Sequence, residues 1–208
     1  MKHTILFITL IILFLINNIK NNIENFQNFK NDKNIIIIGN APYTNKNGKF
    51  IDSFDKVIRF NNFNIEKEHQ QYIGSKIDIW CLSCFVYFSN KKLFEEKKNN
   101  VKDILVFKPE VFKDKYLYKP KNNTKLILQN KDVEVPYNFG KKWPSTGLLA
   151  VFYFLQQYPQ VYVTGFNHFD DSNGSIHYYE NLKQIGHKGD LEKKIFNDLK
   201  LKRKIIIL

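Results

Sequence analysis

Three of the five histidines in this chain of 208 residues fall within twenty positions, at His168, His177 and His187. Imidazole is the side chain best suited to take up a proton near neutral pH, with an ordinary pKa of about 6.5, so such a cluster after a strand end points to proton transfer. His177 opens His177-Tyr178-Tyr179-Glu180, and His187 opens His187-Lys188-Gly189-Asp190-Leu191-Glu192. Zinc binding is the competing reading, but the spacings fit neither His-Glu-x-x-His nor a Cys/His array. His168, in Gly165-Phe166-Asn167-His168, reads most simply as a surface loop residue. A second segment, Trp143-Pro144-Ser145-Thr146-Gly147-Leu148-Leu149-Ala150, is a helix start. Ser145 or Thr146 can cap it, its unpaired N–H groups and dipole favour an anion, and Gly147 lets that anion approach the backbone. An ordinary capped core helix explains the same residues. A third segment, Ile35-Ile36-Ile37-Ile38-Gly39-Asn40-Ala41-Pro42, is a buried strand running into a glycine turn, the place where open α/β sheets bind ligands. It has neither the G-x-G-x-x-G of a dinucleotide site nor the G-x-x-x-x-G-K-S/T of a phosphate loop.

Elements that could position these residues follow from the alternation of short β-rich runs with helical stretches after Asn34. Strands are expected at Ile35 to Ile38, Lys56 to Phe60, Ile77 to Trp80, Asp103 to Phe107, Lys125 to Leu128, Val161 to Thr164 and Ile205 to Leu208. Helices are expected at Asn90 to Lys98, Thr146 to Tyr158 (ended by Pro159) and Gly189 to Lys202. The fold class is α/β, with a Rossmann-like, largely parallel central sheet flanked by helices. Trp80-Cys81-Leu82-Ser83-Cys84 has the spacing of a thioredoxin-type pair, but it lies in the wrong context for one, and two small, partly buried residues at a strand end explain it better.

A composition of 43% hydrophobic and 25% charged residues suits one sizeable core. The net charge of +12 is spread over lysines, with Arg59 and Arg203 the only arginines, so it does not indicate nucleic-acid binding. Between Lys2 and Lys20 there is no formal charge, and Ile5 to Ile16 is apolar except for Thr9. As a helix that run covers about 18 Å, and the whole uncharged stretch reaches the lower limit for spanning a bilayer. No small-residue cleavage site follows, which favours an uncleaved anchor at residues 1–20 over a signal peptide. The Asn-rich residues 21–33 read as a stem, and 34–208 as one compact domain of catalytic size.

Together the segments resemble the eukaryotic-type sialyltransferases, glycosyltransferase family 29, in the order and content of four motifs. Ile35 to Asn61, with Ile37-Ile38-Gly39-Asn40 and Ile51-Asp52-Ser53-Phe54-Asp55-Lys56-Val57-Ile58-Arg59-Phe60-Asn61, resembles the large motif. Pro144-Ser145-Thr146-Gly147 through Val161-Tyr162-Val163-Thr164-Gly165-Phe166 resembles the small motif; His177-Tyr178-Tyr179-Glu180 is similar to the third, and His187 with Glu192 to the very small one. The resemblance implies a GT-A-like variant fold and an inverting transfer of sialic acid from a CMP-sialic acid donor to a glycan acceptor, with no metal and no other cofactor. The chain has no Asp-x-Asp, consistent with that. Asn40 and Asn61 would hold CMP, while Ser145, Thr146 and Gly147 would meet donor groups including the sialic carboxylate. His177 would stabilise the departing phosphate and His187 would be the general base, with Glu192 supporting its loop or helix. The family layout is a single-pass type II membrane protein whose catalytic domain lies in the Golgi or another secretory lumen.

The vertebrate enzymes join their large and small motifs by a disulfide; the matching positions here look like Ile35 and Tyr158, so apolar packing must replace that crosslink. Asn122-Asn123-Thr124 and Asn173-Gly174-Ser175 are glycosylation sequons, meaningful only in a lumen. Two other functions fit the same residues: a non-catalytic nucleotide- or glycan-binding module of this fold, and a transferase for another CMP-linked acidic sugar.

Overall fold

The computed structural model describes residues 34–97, 101–107, 125–129, 133–168, 170, 176–179 and 186–208. The expected anchor and stem, at 1–33, and both sequons lie outside the described residues. Residues 34–208 form one compact unit. In chain order its elements are β1 (Ile35–Ile38), α1 (Gly48–Asp52), β2 (Lys56–Phe60), α2 (Lys67–Ile73), β3 (Ile79–Ser83), α3 (Cys84–Ser89) and α4 (Lys91–Lys97). There follow β4 (Asp103–Phe107), β5 (Lys125–Gln129), α5 (Thr146–Leu155), β6 (Val161–Thr164), α6 (Gly189–Leu201) and β7 (Ile205–Ile207).

Among the described residues the strands form a single sheet in the order β5-β4-β3-β2-β1-β6-β7, every pair parallel. All-parallel sheets are covered on both faces, which is why β1 is four isoleucines, each at most 2% exposed. Ile36 and Ile38 pack with Ile51, Phe54 and Ile73 from the α1 and α2 side. Helix α5 packs on β1, β3 and β6, and its buried residues from Thr146 to Val151 and Phe154 explain the unbroken apolar run. The strand order runs outward from β1 in one direction through β5, and β6 then adds to the other side of β1. That reversal leaves a crevice at the carboxyl ends of β1 and β6, where open parallel sheets place their ligands.

Element boundaries shifted where side chains override local pattern. β3 begins at Ile79 rather than Ile77, because Asp78 is 1% exposed and is used as a bracket. Its carboxylate accepts from Val57 N at 3.0 Å and from Lys102 Nζ at 2.8 Å. The helices expected at Asn90 to Lys98, Thr146 to Tyr158 and Gly189 to Lys202 are trimmed to α4, α5 and α6. Asn90 lies outside α4 as its cap, accepting from Leu93 N at 3.0 Å. Helices α1, α2 and α3 were not expected, being too short to show an amphipathic period. Arg59, 1% exposed, is satisfied by the carbonyls of Ile73 and Gly74 at the end of α2 and of Lys76. Cys81 is buried in β3 and Cys84 opens α3. Ile35 and Tyr158, the positions without a crosslink, are both buried.

Candidate active site

Gly39 leaves β1 and Gly165 leaves β6, and their backbones cross in contact. Gly39 N donates to Thr164 O at 2.7 Å and Ala41 N to Gly165 O at 3.0 Å. A Cβ on Gly39 would lie 1.8 Å from Gly165 O, and Gly165 itself holds φ 71°, so both positions require glycine. This crossing brings Asn40 and Phe166 over the sheet edge.

The start of α5 is held by a buried carboxylate. Ser145, the N-cap, accepts from Leu148 N at 3.1 Å. It donates from its own N to Glu192 Oε1 at 2.8 Å and from Oγ to Oε2 at 2.7 Å. Glu192 is 2% exposed in the first turn of α6, and burial raises its pKa against the Ser145 hydrogen bonds and the nearby His187, which lower it. Glu192 therefore joins α6 to α5, and the Ser145 proton is committed to it. Thr146 and Gly147, the first two helical residues, have N–H groups with no acceptor inside the helix. A Cβ on Gly147 would sit 2.7 Å from the Phe166 ring and 2.8 Å from the Phe60 ring.

The two asparagines are equally engaged. Asn61 holds φ 49°, a left-handed conformation that asparagine tolerates. Its Nδ2 donates to Thr146 Oγ1 at 3.2 Å and its Oδ1 accepts from Ser83 N at 3.0 Å, tying the ends of β2 and β3 to α5. Asn40 Nδ2 donates to Phe60 O at 3.2 Å and lies 3.3 Å from the Tyr179 hydroxyl. A carbonyl only accepts, so Phe60 O fixes the amide orientation and Oδ1 is the atom Asn40 can offer a ligand.

Of the histidines, His177 stacks on Tyr179 with ring centroids 5.2 Å apart. His187 Nδ1 lies 3.0 Å from Trp143 O. That carbonyl can only accept, so the neutral ring carries its proton on Nδ1 and presents a lone pair on Nε2. His168, expected as a loop residue, is half-buried at φ 56° with its ring 4.8 Å from that of Phe196. Burial, with a smaller push from Lys193, lowers its pKa from 6.5 to about 4. Between those values the unfolded chain binds more protons than the folded one. Its stabilising contribution is thus complete above pH 6.5 and is lost as pH falls toward 4. Thermal unfolding of His168→Asn, which suits the left-handed backbone, should lose less stability than the native protein between pH 7 and pH 4.5; parallel curves would refute this.

Asn40, Asn61, Ser145, Thr146, Gly147, His177 and His187, which lie up to 147 positions apart, all line one cavity of about 190 Å³ at the β1/β6 crevice. His168, Phe166 and Glu192 line it too. A larger cleft of about 480 Å³ adjoins it, and Asn61, Thr146 and His187 line both. The Tyr179 and Phe166 contributions were missed from sequence: both stood inside quoted motifs, but only the fold shows which residues they touch.

A parallel sheet whose switch point holds a cavity lined by three asparagines and three histidines among apolar walls has the layout of an α/β enzyme with a preformed ligand site. Residues 86–204 match the model of glycosyltransferase family 29 (sialyltransferase), more than half of the sequence, and the chain belongs to that family. It is thus a sialyltransferase-type glycosyltransferase, of a family that uses a nucleotide-sugar donor and a glycan acceptor. The fold is similar to that of a mammalian sialyltransferase in complex with Gal-beta-1-3GalNAc-ortho-nitrophenol, at 21% identity and TM-score 0.55, over 85% of this chain and 69% of that one. A second structure of a mammalian sialyltransferase matches at 22% identity and TM-score 0.53, with the same coverages of 85% and 69%. No curated protein matches in sequence. Among the described residues no helix is long and apolar enough to cross a membrane, and no group of three or more His, Cys, Asp or Glu could hold a metal ion.

Proposed function

We propose that the protein transfers sialic acid from CMP-sialic acid to a glycan hydroxyl with inversion, without a metal. The observation that carries this reading is the position of His187, which borders both cavities with its lone pair on Nε2. The donor occupies the smaller cavity. Thr146 and Gly147 N–H groups at the positive end of α5 meet its anionic groups, among them the sialic carboxylate, and Ser145 and Glu192 hold that helix end in place. Asn61 and Asn40 hold the CMP portion, Asn40 through Oδ1 toward a hydroxyl or amino group. The acceptor hydroxyl, beside His187, attacks the anomeric carbon. As the new C–O bond forms, Nε2 takes the proton, the bond to the phosphate oxygen breaks, and CMP leaves with its charge offset by His177. Positioning and deprotonation then supply most of the acceleration. A single-pass type II anchor at 1–20 and a stem at 21–33, holding the domain in the Golgi or another secretory-pathway lumen, complete the reading; the apolar run Ile5 to Ile16 supports it.

The test is a donor screen of the full chain with cytidine nucleotides and CMP-linked acidic sugars against a glycan panel, reading CMP release and product. Transfer from CMP-sialic acid is expected. Binding of CMP without transfer to any acceptor favours a binding module, and turnover of only another CMP-sugar reassigns the donor. Tyr179→Phe keeps the stack on His177 but removes the hydroxyl beside Asn40. It should weaken CMP binding in calorimetry by about 2- to 10-fold, the worth of one hydrogen bond. An unchanged affinity would remove Tyr179 from the site.

A further inference from the structure

Three histidines line the smaller cavity, and one of them, His168, has no task in the reaction proposed above. It stands in neither neighbouring motif: the segment resembling the small motif ends at Phe166, and the one resembling the third begins at His177. Its ring is firmly seated. His168 is half-buried in the turn after β6, edge-on to Phe196 of α6, itself 1% exposed, with the ring centroids 4.8 Å apart. The backbone there is left-handed, at φ 56°, which is uncommon for a residue other than glycine. Among the described residues neither ring nitrogen has a hydrogen-bond partner. A half-buried polar ring left unpaired at a cavity wall is unfavourable unless a ligand completes it.

The two cavities show which end of the donor this ring meets. They share Asn61, Thr146 and His187, and the base must reach the acceptor hydroxyl there, so the sugar end of the donor lies toward that boundary. The nucleoside end lies away from it. His168 borders only the smaller cavity, as do Gly165, Phe166, Asn167 and Ile176, a wall with no formally charged side chain. Burial holds the imidazole neutral, with its pKa lowered to about 4. Such a ring has one N–H and one lone pair. A phosphate or carboxylate would accept only from the N–H and would favour the charged ring that burial opposes. A hydroxyl both donates and accepts, so it pairs with the ring in either tautomer. The uncharged hydroxyls at that end of a nucleotide are those of its ribose.

Resting on the function proposed above, we propose that His168 is a donor-specificity residue whose ring hydrogen-bonds a ribose hydroxyl of CMP-sialic acid. The enzyme thereby distinguishes the intact ribose from a deoxy sugar.

The test is calorimetry on the full chain with CMP, 2′-deoxy-CMP, 3′-deoxy-CMP and UMP. One of the two deoxy nucleotides should bind about 3- to 10-fold more weakly than CMP, the worth of one neutral hydrogen bond. Two variants then assign that loss to the ring. His168→Gly suits φ 56° and removes the imidazole, whereas His168→Phe keeps a ring against Phe196 and removes both nitrogens. Each should bind CMP more weakly by the same factor, yet bind the discriminated deoxy nucleotide as the native protein does. A merely structural role would weaken every nucleotide alike, and that result overturns the proposal. Equal binding of CMP and both deoxy nucleotides by the native protein overturns it without any variant. The ratio of CMP to UMP affinity should stay at its native value in both variants; its collapse would move the ring to the base and refute the ribose assignment. Absence of CMP binding altogether would remove the donor assignment and this proposal together, whereas CMP binding without discrimination removes this proposal alone.

Discussion

Replacing His187 with alanine should leave a folded protein that still binds CMP but transfers about 10²- to 10⁴-fold more slowly, the usual contribution of a placed general base. The expectation rests on the hydrogen bond from Nδ1 to Trp143 O, 3.0 Å long, which fixes the tautomer and leaves Nε2 as the only ring atom able to accept a proton. Losing the hydrogen bond to Trp143 O costs about 0.5 to 1.5 kcal/mol, small beside the stability of a domain, so the variant should stay folded. The loss should fall on kcat with KM for the donor little changed, because a base acts on the attacking hydroxyl and not on the bound nucleotide. Steady-state kinetics beside thermal unfolding make the check. A folded variant turning over at the native rate would remove His187 from the chemistry, and a variant that loses CMP binding instead would make it a donor ligand.

Gly39→Ala should be the most damaging small substitution in the sheet. The added Cβ would stand 1.8 Å from Gly165 O and 2.4 Å from its carbonyl carbon, and both obstacles are backbone. Relief requires the ends of β1 and β6 to part. That would stretch the hydrogen bonds from Gly39 N to Thr164 O (2.7 Å) and from Ala41 N to Gly165 O (3.0 Å). Overpacking of this kind costs about 1 to 3 kcal/mol or more, which for a domain of this size lowers Tm by roughly 3 to 10 °C. Asn40, next in the chain, moves with the crossing, so CMP affinity should fall more than about tenfold. Gly186→Ala is the matched control: a Cβ there has nothing within 4 Å among the described residues, although the residue adjoins His187. Similar melting temperatures and CMP affinities for the two variants would show that the crossing is not rigid.

Much of the architecture was legible because it depends on short-range pattern. The isoleucines of β1 could only be a strand covered on both faces, and Thr146 to Leu155 only a helix buried nearly all round. The motifs were legible for a similar reason, since Gly39, Gly147 and the capping Ser145 are demanded by backbone geometry wherever they occur. Less was legible where a residue's role depends on its neighbours in space. Ser145 donates to the Glu192 carboxylate from both its N and its Oγ, a link between the starts of α5 and α6 across 47 positions that no local pattern shows. His168 looked like a surface loop residue, but it is half-buried beside the Phe196 ring, and burial lowers its pKa. The short helices α1, α2 and α3 left no periodic trace.

The amino-acid sequence by itself determined the fold class, the order of the strands along the chain and the chemical types available to the site, because periodicity, capping and glycine turns act over a few residues. Only the tertiary structure decided that β6 lies beside β1. Parallel pairing joins segments more than a hundred residues apart through backbone hydrogen bonds that carry no side-chain signature. That single pairing brings Gly165 against Gly39, closes the cavity around Asn40 and His177, and leaves His187 on the boundary between the two clefts.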